Sequence, residues 1–129
     1  MASVRRPVDD GSAVVEFVLV GVLLTALFLS LVQLGLAMHV RNTLQASAAE
    51  GARFAANADR TRADGEAVTR DLIRSSLADG FAEHVSSGTE LVAGVPTVYV
   101  QVDAPLPLIG FLGPSRTVRV RGHAVEEGR

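Results

Sequence analysis

The pattern of apolar and polar positions changes abruptly at Glu16. From Phe17 to Val40 the chain has no aspartate, glutamate, lysine or arginine, and its polar interruptions are Thr25, Ser30, Gln33 and His39. Roughly two dozen residues of helix extend about 36 Å at 1.5 Å per residue, enough to cross a bilayer with some tilt. Apolar side chains fall on every side of that helix, which suits lipid better than the single stripe of a soluble amphipathic helix does. The pattern predicts a transmembrane helix that ends near residue 40, after a short polar N-terminal stretch.

Beyond Arg41 the composition turns to alanine and other small residues of good helix propensity, so the helix is expected to continue outward over 41–58. Ala48, Ala52 and Ala56 recur every four residues, as do Ser47, Gly51 and Ala55. Such rows let another helix approach closely, which makes Ala48, Gly51, Ala52, Ala55 and Ala56 candidate packing positions. The partner helix belongs either to a neighbouring subunit or to the chain's own domain.

The charged, glycine-containing stretch 57–66 reads as a loop. Val68, Leu72, Ile73, Leu77 and Phe81 then recur at amphipathic spacing and predict a second helix over 66–85, with Gly80 weakening its last turn. A turn-rich link follows, with a short strand at 90–93. Two runs alternate with period two: Val98, Val100 and Val102 oppose Thr97, Tyr99 and Gln101, and Val118, Val120, Gly122 and Ala124 oppose Thr117, Arg119, Arg121 and His123. Between them, the connector 103–115 holds three prolines with Leu106, Leu108, Ile109, Phe111 and Leu112. It is unusually apolar for a loop and either folds onto the core or offers a contact surface. The expected fold class is α+β: a long N-terminal transmembrane helix continuing outward, then a second helix packed on a small antiparallel β hairpin or sheet at 66–129.

Composition narrows the functions open to this chain. Its 129 residues leave room for one small folded region besides the span, and the absence of cysteine removes disulfides and thiolate metal sites. Stability is then expected to come from partners. The net charge is −2 and the basic residues, all arginine, form no run, while aromatic residues make up 5% of the chain. Nucleic-acid binding, which concentrates positive charge with aromatics on one surface, is not expected. His39, His84 and His123 fall in three different elements without metal-ligand spacing, and the best cluster, His84 with Asp79, Glu83 and Glu90, reads as a solvated helix end. No enzyme and no cofactor is expected.

The candidate chemistry lies at "GSAVVEF", Gly11 to Phe17. This junction resembles a type IV prepilin processing site, at which a short polar leader ends in glycine, a prepilin peptidase cuts after it, and glutamate is the fifth mature residue. Counted from Ser12, Glu16 is that fifth residue. The Glu16–Phe17 pair, the small-residue stretch 44–58 and the late strand with its Pro-Leu-rich connector are most similar to the TadE-like minor pilins of the tight-adherence (Flp) pilus system. The leader departs from the usual basic pattern at Asp9 and Asp10.

The resemblance implies a leader at 1–11, a transmembrane helix over 12–40 and a membrane-anchored pilin-like structural or assembly protein, cut after Gly11, with prepilin peptidase, other pilin-like subunits and the assembly machinery as partners. Cleavage would expose an α-amine on Ser12 near the membrane boundary. Glu16, one helical turn away or on a neighbouring subunit, could pair with that amine. Glu16 as a simple favourable charge at the helix N-terminus is the plainer reading. Arg5 and Arg6 favour a cytoplasmic N-terminus and an extracytoplasmic C-terminal domain. Two alternatives stand beside this: an unprocessed single-pass membrane protein with a small binding domain, and a secretory signal cut at Ala46-Ser47-Ala48.

Overall fold

The computed structural model describes residues 7–106 and 117–127, with side chains from Gly11 onward. In chain order the elements are helix α1 (Pro7–Ala56), helix α2 (Arg62–Ser76), a short 3-10 helix (Asp79–Ala82) and strands β1 (His84–Val92), β2 (Val95–Pro105) and β3 (Thr117–Val125). The chain divides between Gly35 and Leu36 into two compact units.

The first unit is the apolar part of α1. Among the described residues α1 is the one helix long and apolar enough to cross a membrane. Its large side chains, Phe17 at 80% exposure among them, all face outward. Hydroxyls inside this stretch are satisfied by the helix itself: Thr25 Oγ1 donates to Gly21 O at 2.8 Å and Ser30 Oγ to Ala26 O at 2.7 Å. That bonding is what a hydroxyl needs where no water is available.

The second unit is an α+β layer pair. The strands form one antiparallel sheet in the order β1-β2-β3. Val85 lies opposite Val102 and Val102 opposite Val120, so valines from all three strands share one face. On that face Val98, Val100, Val102 and Ala104 of β2 are buried, and Val40, Leu44, Ala48 and Ala52 of α1 with Ile73 of α2 complete the core. Burying one such aliphatic side chain contributes about 1.5–3 kcal/mol, and Val98 lies in a second, smaller cluster with Ala55 and Ala56.

Helix α2 begins four residues earlier than the 66–85 expectation, because Thr61 and Asp64 form a capping box. Asp64 N donates to Thr61 Oγ1 at 3.2 Å, and Thr61 N to Asp64 Oδ2 at 2.8 Å. Residues 62–66, expected in a loop, are therefore helical. The helix ends early as well: Leu77 turns to extended backbone (φ −135°, ψ −176°) while its N–H still bonds Ile73 O. Residues 84 and 85, expected at the helix end, pair instead with Asp103 and Val102 in the sheet. The short strand expected at 90–93 is thereby a nine-residue strand. Ser86, Ser87 and Thr89 are poor helix formers, and sheet pairing prevails over the continued amphipathic spacing.

Strands β1 and β2 are joined by a two-residue turn in which Ala93 (φ 51°) and Gly94 (φ 80°) both adopt left-handed backbone, as a type I′ hairpin requires. The connector also begins later than expected, since Asp103, Ala104 and Pro105 continue β2. Its residues 107–115, with Leu108, Ile109, Phe111 and Leu112, lie outside the described residues.

Both edges of the sheet are blunted by helix side chains. Arg70 of α2 donates to Val85 O on β1 at 3.2 Å, and Gln45 of α1 donates through Nε2 to Arg121 O on β3. Carbonyls engaged in this way are withdrawn from pairing with a foreign strand.

Candidate processing and assembly site

Gly11, Ser12, Glu16 and Phe17 all lie on α1 and all are exposed. The Gly11–Ser12 peptide is thus inside helical backbone. No atom lies within 4 Å of where a Gly11 side chain would begin, and its φ is not in the left-handed region. Packing therefore gives no reason for glycine at this position, whereas a helix interior disfavours it by about 1 kcal/mol relative to alanine. Ser12 and Glu16 are four residues apart and share a helix face.

Along the span, the missing side chain of Gly21 opens a shallow apolar depression bordered by Val18, Val22, Thr25, Ala26 and Leu29. The sequence reading passed over it. Glycine in a run of large aliphatic residues is the signal that marks it, and Thr25, its hydroxyl bonded to Gly21 O, lines it.

The five small residues on the outer part of α1 are placed within the second unit. Ala48 and Ala52 are fully buried in its core, and a side chain on Gly122 of β3 would collide with the backbone of Ala48 and Ala49. Gly51 faces α2: a Cβ there would come within 2.7 Å of Gly65 O, and one on Gly65 within 2.6 Å of Gly51 O. Ala55 also lies against Gly65, and Thr69 Oγ1 bonds Gly65 O at 2.8 Å and reaches Ser47 O at 3.4 Å. Ala55 and Ala56 pack with Val98. The row 48-52-56 thus serves the sheet and the row 47-51-55 serves α2. Of the two partner helices open to these rows, the chain's own α2 occupies one.

Ala46-Ser47-Ala48 sits mid-helix with Ser47 and Ala48 buried. A cut there would remove Val40, Leu44 and Ala48 from the core, so the folded chain does not present this tripeptide as a cleavage site.

The opposite, outward face of the sheet carries a polar ladder. Arg119 Nε bonds Asp103 Oδ1 at 2.7 Å, Gln101 Nε2 bonds Asp103 Oδ2 at 3.2 Å, and Arg121 Nε bonds Gln101 Oε1 at 2.7 Å. The Arg119 guanidinium, against partial desolvation and with help from Gln101, holds the Asp103 carboxyl below the usual carboxylate range. Glu90 reaches across β2 to His123 at 2.9 Å and to Arg121 at 3.8 Å, while the Arg121 guanidinium stacks 4.5 Å from the centre of the Tyr99 ring. His84 and His123 therefore belong to different parts of one solvated face. Among the described residues no group of three or more histidine, aspartate or glutamate side chains is gathered as a metal site.

Comparison with known proteins bears on the first of these regions. The family description "TadE-like protein" matches residues 11–53, which run from the Gly11–Ser12 junction through the apolar helix to the small-residue rows. No curated protein and no solved structure was found to match the chain. Over residues 11–53, about a third of the chain, the sequence is similar to TadE-like proteins, and the structure there is one apolar N-terminal helix, followed in the chain by a small α+β unit.

Proposed function

We propose that the chain is a structural or assembly component of a tight-adherence (Flp) type IV pilus or a related secretion filament, anchored as a single-pass membrane protein until it is assembled. In this reading a prepilin peptidase removes residues 1–11, the N-terminus faces the cytoplasm and the α+β unit is extracytoplasmic. The observation that carries it is the family match over 11–53, which begins at the glycine that packing leaves unexplained.

The chemistry follows from the spacing. A cut between Gly11 and Ser12 creates a cationic α-amine one helical turn from Glu16, on the same face. A charge at membrane depth costs on the order of 2.5–3.5 kcal/mol on insertion scales, less near the interface, so pairing the two favours docking with the carboxylate and amine in register. Glu16 serves either its own Ser12 amine or that of an adjoining subunit. Phe17, fully outward on the helix, adds an apolar contact beside it.

Gly11→Leu tests the processing step. A bulky side chain at the cut position should leave the full-length chain in the membrane, migrating as it does in a strain lacking prepilin peptidase. Wild-type mobility that is the same with and without the peptidase would remove the basis for this reading. Glu16→Ala should insert normally yet co-assemble several-fold less with its partners; unimpaired assembly would reduce Glu16 to a helix-terminal charge.

A further inference from the structure

The Gly11–Ser12 peptide is closed inside the helix. Helix α1 runs Pro7–Ala56, so both residues have α-helical backbone. In that geometry Ser12 N–H donates to Val8 O, and Gly11 O accepts from Val15 N–H. Both ends of the amide are therefore committed to the helix ladder.

Hydrolysis needs both ends free. Water's oxygen joins the Gly11 carbonyl carbon as the C–N bond breaks, and its two protons end on the Ser12 nitrogen, leaving a carboxylate and an ammonium group. On the way, negative charge collects on Gly11 O, which an enzyme stabilises with donors about 2.7–3.1 Å from that oxygen. In the helix Val15 N–H already holds it. The Ser12 nitrogen must likewise give up Val8 O before it can leave as an amine. The ladder has to open over Val8–Val15 before the bond can be cut.

Two features make this a low-cost place to open α1. The bond lies in the first turns after Pro7, where few ladder bonds precede it. Gly11 also regains more backbone freedom on unwinding than any other residue type. Packing does not oppose the opening: no atom lies within 4 Å of where a Gly11 side chain would begin, and Ala13 and Val15 are exposed.

We propose that the cut after Gly11 is gated by local unwinding of α1 over Val8–Val15, and that Gly11 serves the peptidase by lowering the cost of this opening. The proposal rests on the processing reading and adds what controls the rate of that step. Its consequence is transferable: glycine at another exposed position of the same segment does the same work. Ala13, beyond the cut, is such a position. The glycine–alanine difference in a helix interior corresponds to about fivefold in the opening equilibrium.

The full chain and a prepilin peptidase would be co-reconstituted in phosphatidylcholine–phosphatidylglycerol vesicles, and loss of residues 1–11 followed by intact mass. Vesicles without peptidase give the amide exchange rates of Ser12 and Val15, which report the opening independently of any cut. Gly11→Ala should slow both cleavage and exchange about fivefold. Ala13→Gly should speed both about fivefold, and the double variant should return both to within about twofold of wild type. A double variant that exchanges like wild type yet is cut as slowly as Gly11→Ala would overturn the proposal, because the peptidase would then read the size of the residue at the cut. Cleavage of Ala13→Gly at the wild-type rate, with its exchange accelerated, would overturn it as well. A wild-type chain that the peptidase leaves intact would instead remove the processing reading, and the gate with it.

Discussion

Glycines in this chain occupy two unlike surroundings, one crowded by backbone and one open. Gly51 and Gly122 are glycines because neighbouring backbone occupies the space of a side chain. Overpacking such a contact costs about 1–3 kcal/mol or more, so Gly51→Leu and Gly122→Val should each lower the thermal midpoint of the detergent-solubilised protein by several degrees. Gly11 has open space around it, so Gly11→Ala should leave the thermal midpoint unchanged or slightly higher. A comparable loss at Gly11 would mean that packing, after all, demands that glycine. The same scale governs the pH response. Thr61's backbone N–H and then its hydroxyl hold the Asp64 carboxyl below the usual carboxylate range. A depressed folded pKa gives stability that is complete above the unfolded value and disappears as pH falls through the folded one. The wild-type midpoint should therefore exceed that of Asp64→Asn at neutral pH, and the gap should close as the pH is taken well below 4. A gap that persists in strong acid would exclude the capping carboxylate as its source.

At the scale of elements, the hairpin turn and the start of α2 show where sequence spacing falls short. Ala93 holds φ 51° without the tolerance of asparagine or glycine for that backbone. Ala93→Asn, which supplies the favoured Asn-Gly turn, should stabilise the protein by about 0.5–1 kcal/mol, measurable as a raised urea midpoint. A lowered midpoint would contradict the type I′ assignment. The periodicity of Val98, Val100 and Val102 and of Val118 and Val120 made β2 and β3 legible, because one buried face imposes strict alternation. Strand β1 was not legible beyond its last residues. Its Ser86, Ser87, Gly88 and Thr89 carry almost no hydrophobic signal, and Gly88 is there because the Tyr99 ring lies over it. Extending the helix to residue 85 was the natural reading, since Leu77 and Phe81 do pack on the core, but they do so from a C-cap and a 3-10 turn. The capping box at Thr61–Asp64 was a readable signal that the charged composition of 57–66 obscured.

At the scale of the whole molecule, the apolar run was legible from composition alone, and the Gly11–Glu16 spacing from its place at the head of that run. The destination of the small-residue rows was not. Both a neighbouring subunit and the chain's own α2 suit residues spaced four apart, and only the fold shows Gly65 and Thr69 against Gly51. If the chain assembles as proposed, the surface left for a neighbouring subunit includes the first unit, where Glu16, Phe17 and the depression at Gly21 face outward. Under the proposed processing, Ser12 would begin that same surface.

Intact-mass and N-terminal analysis of the protein extracted from membranes of a cell that carries prepilin peptidase tests this most directly. A chain beginning at Ser12 is expected, with its amine one turn from Glu16. A chain beginning at Met1 would contradict processing at Gly11, and one beginning at Ala49 would contradict both the membrane anchor and the core built on Val40, Leu44 and Ala48.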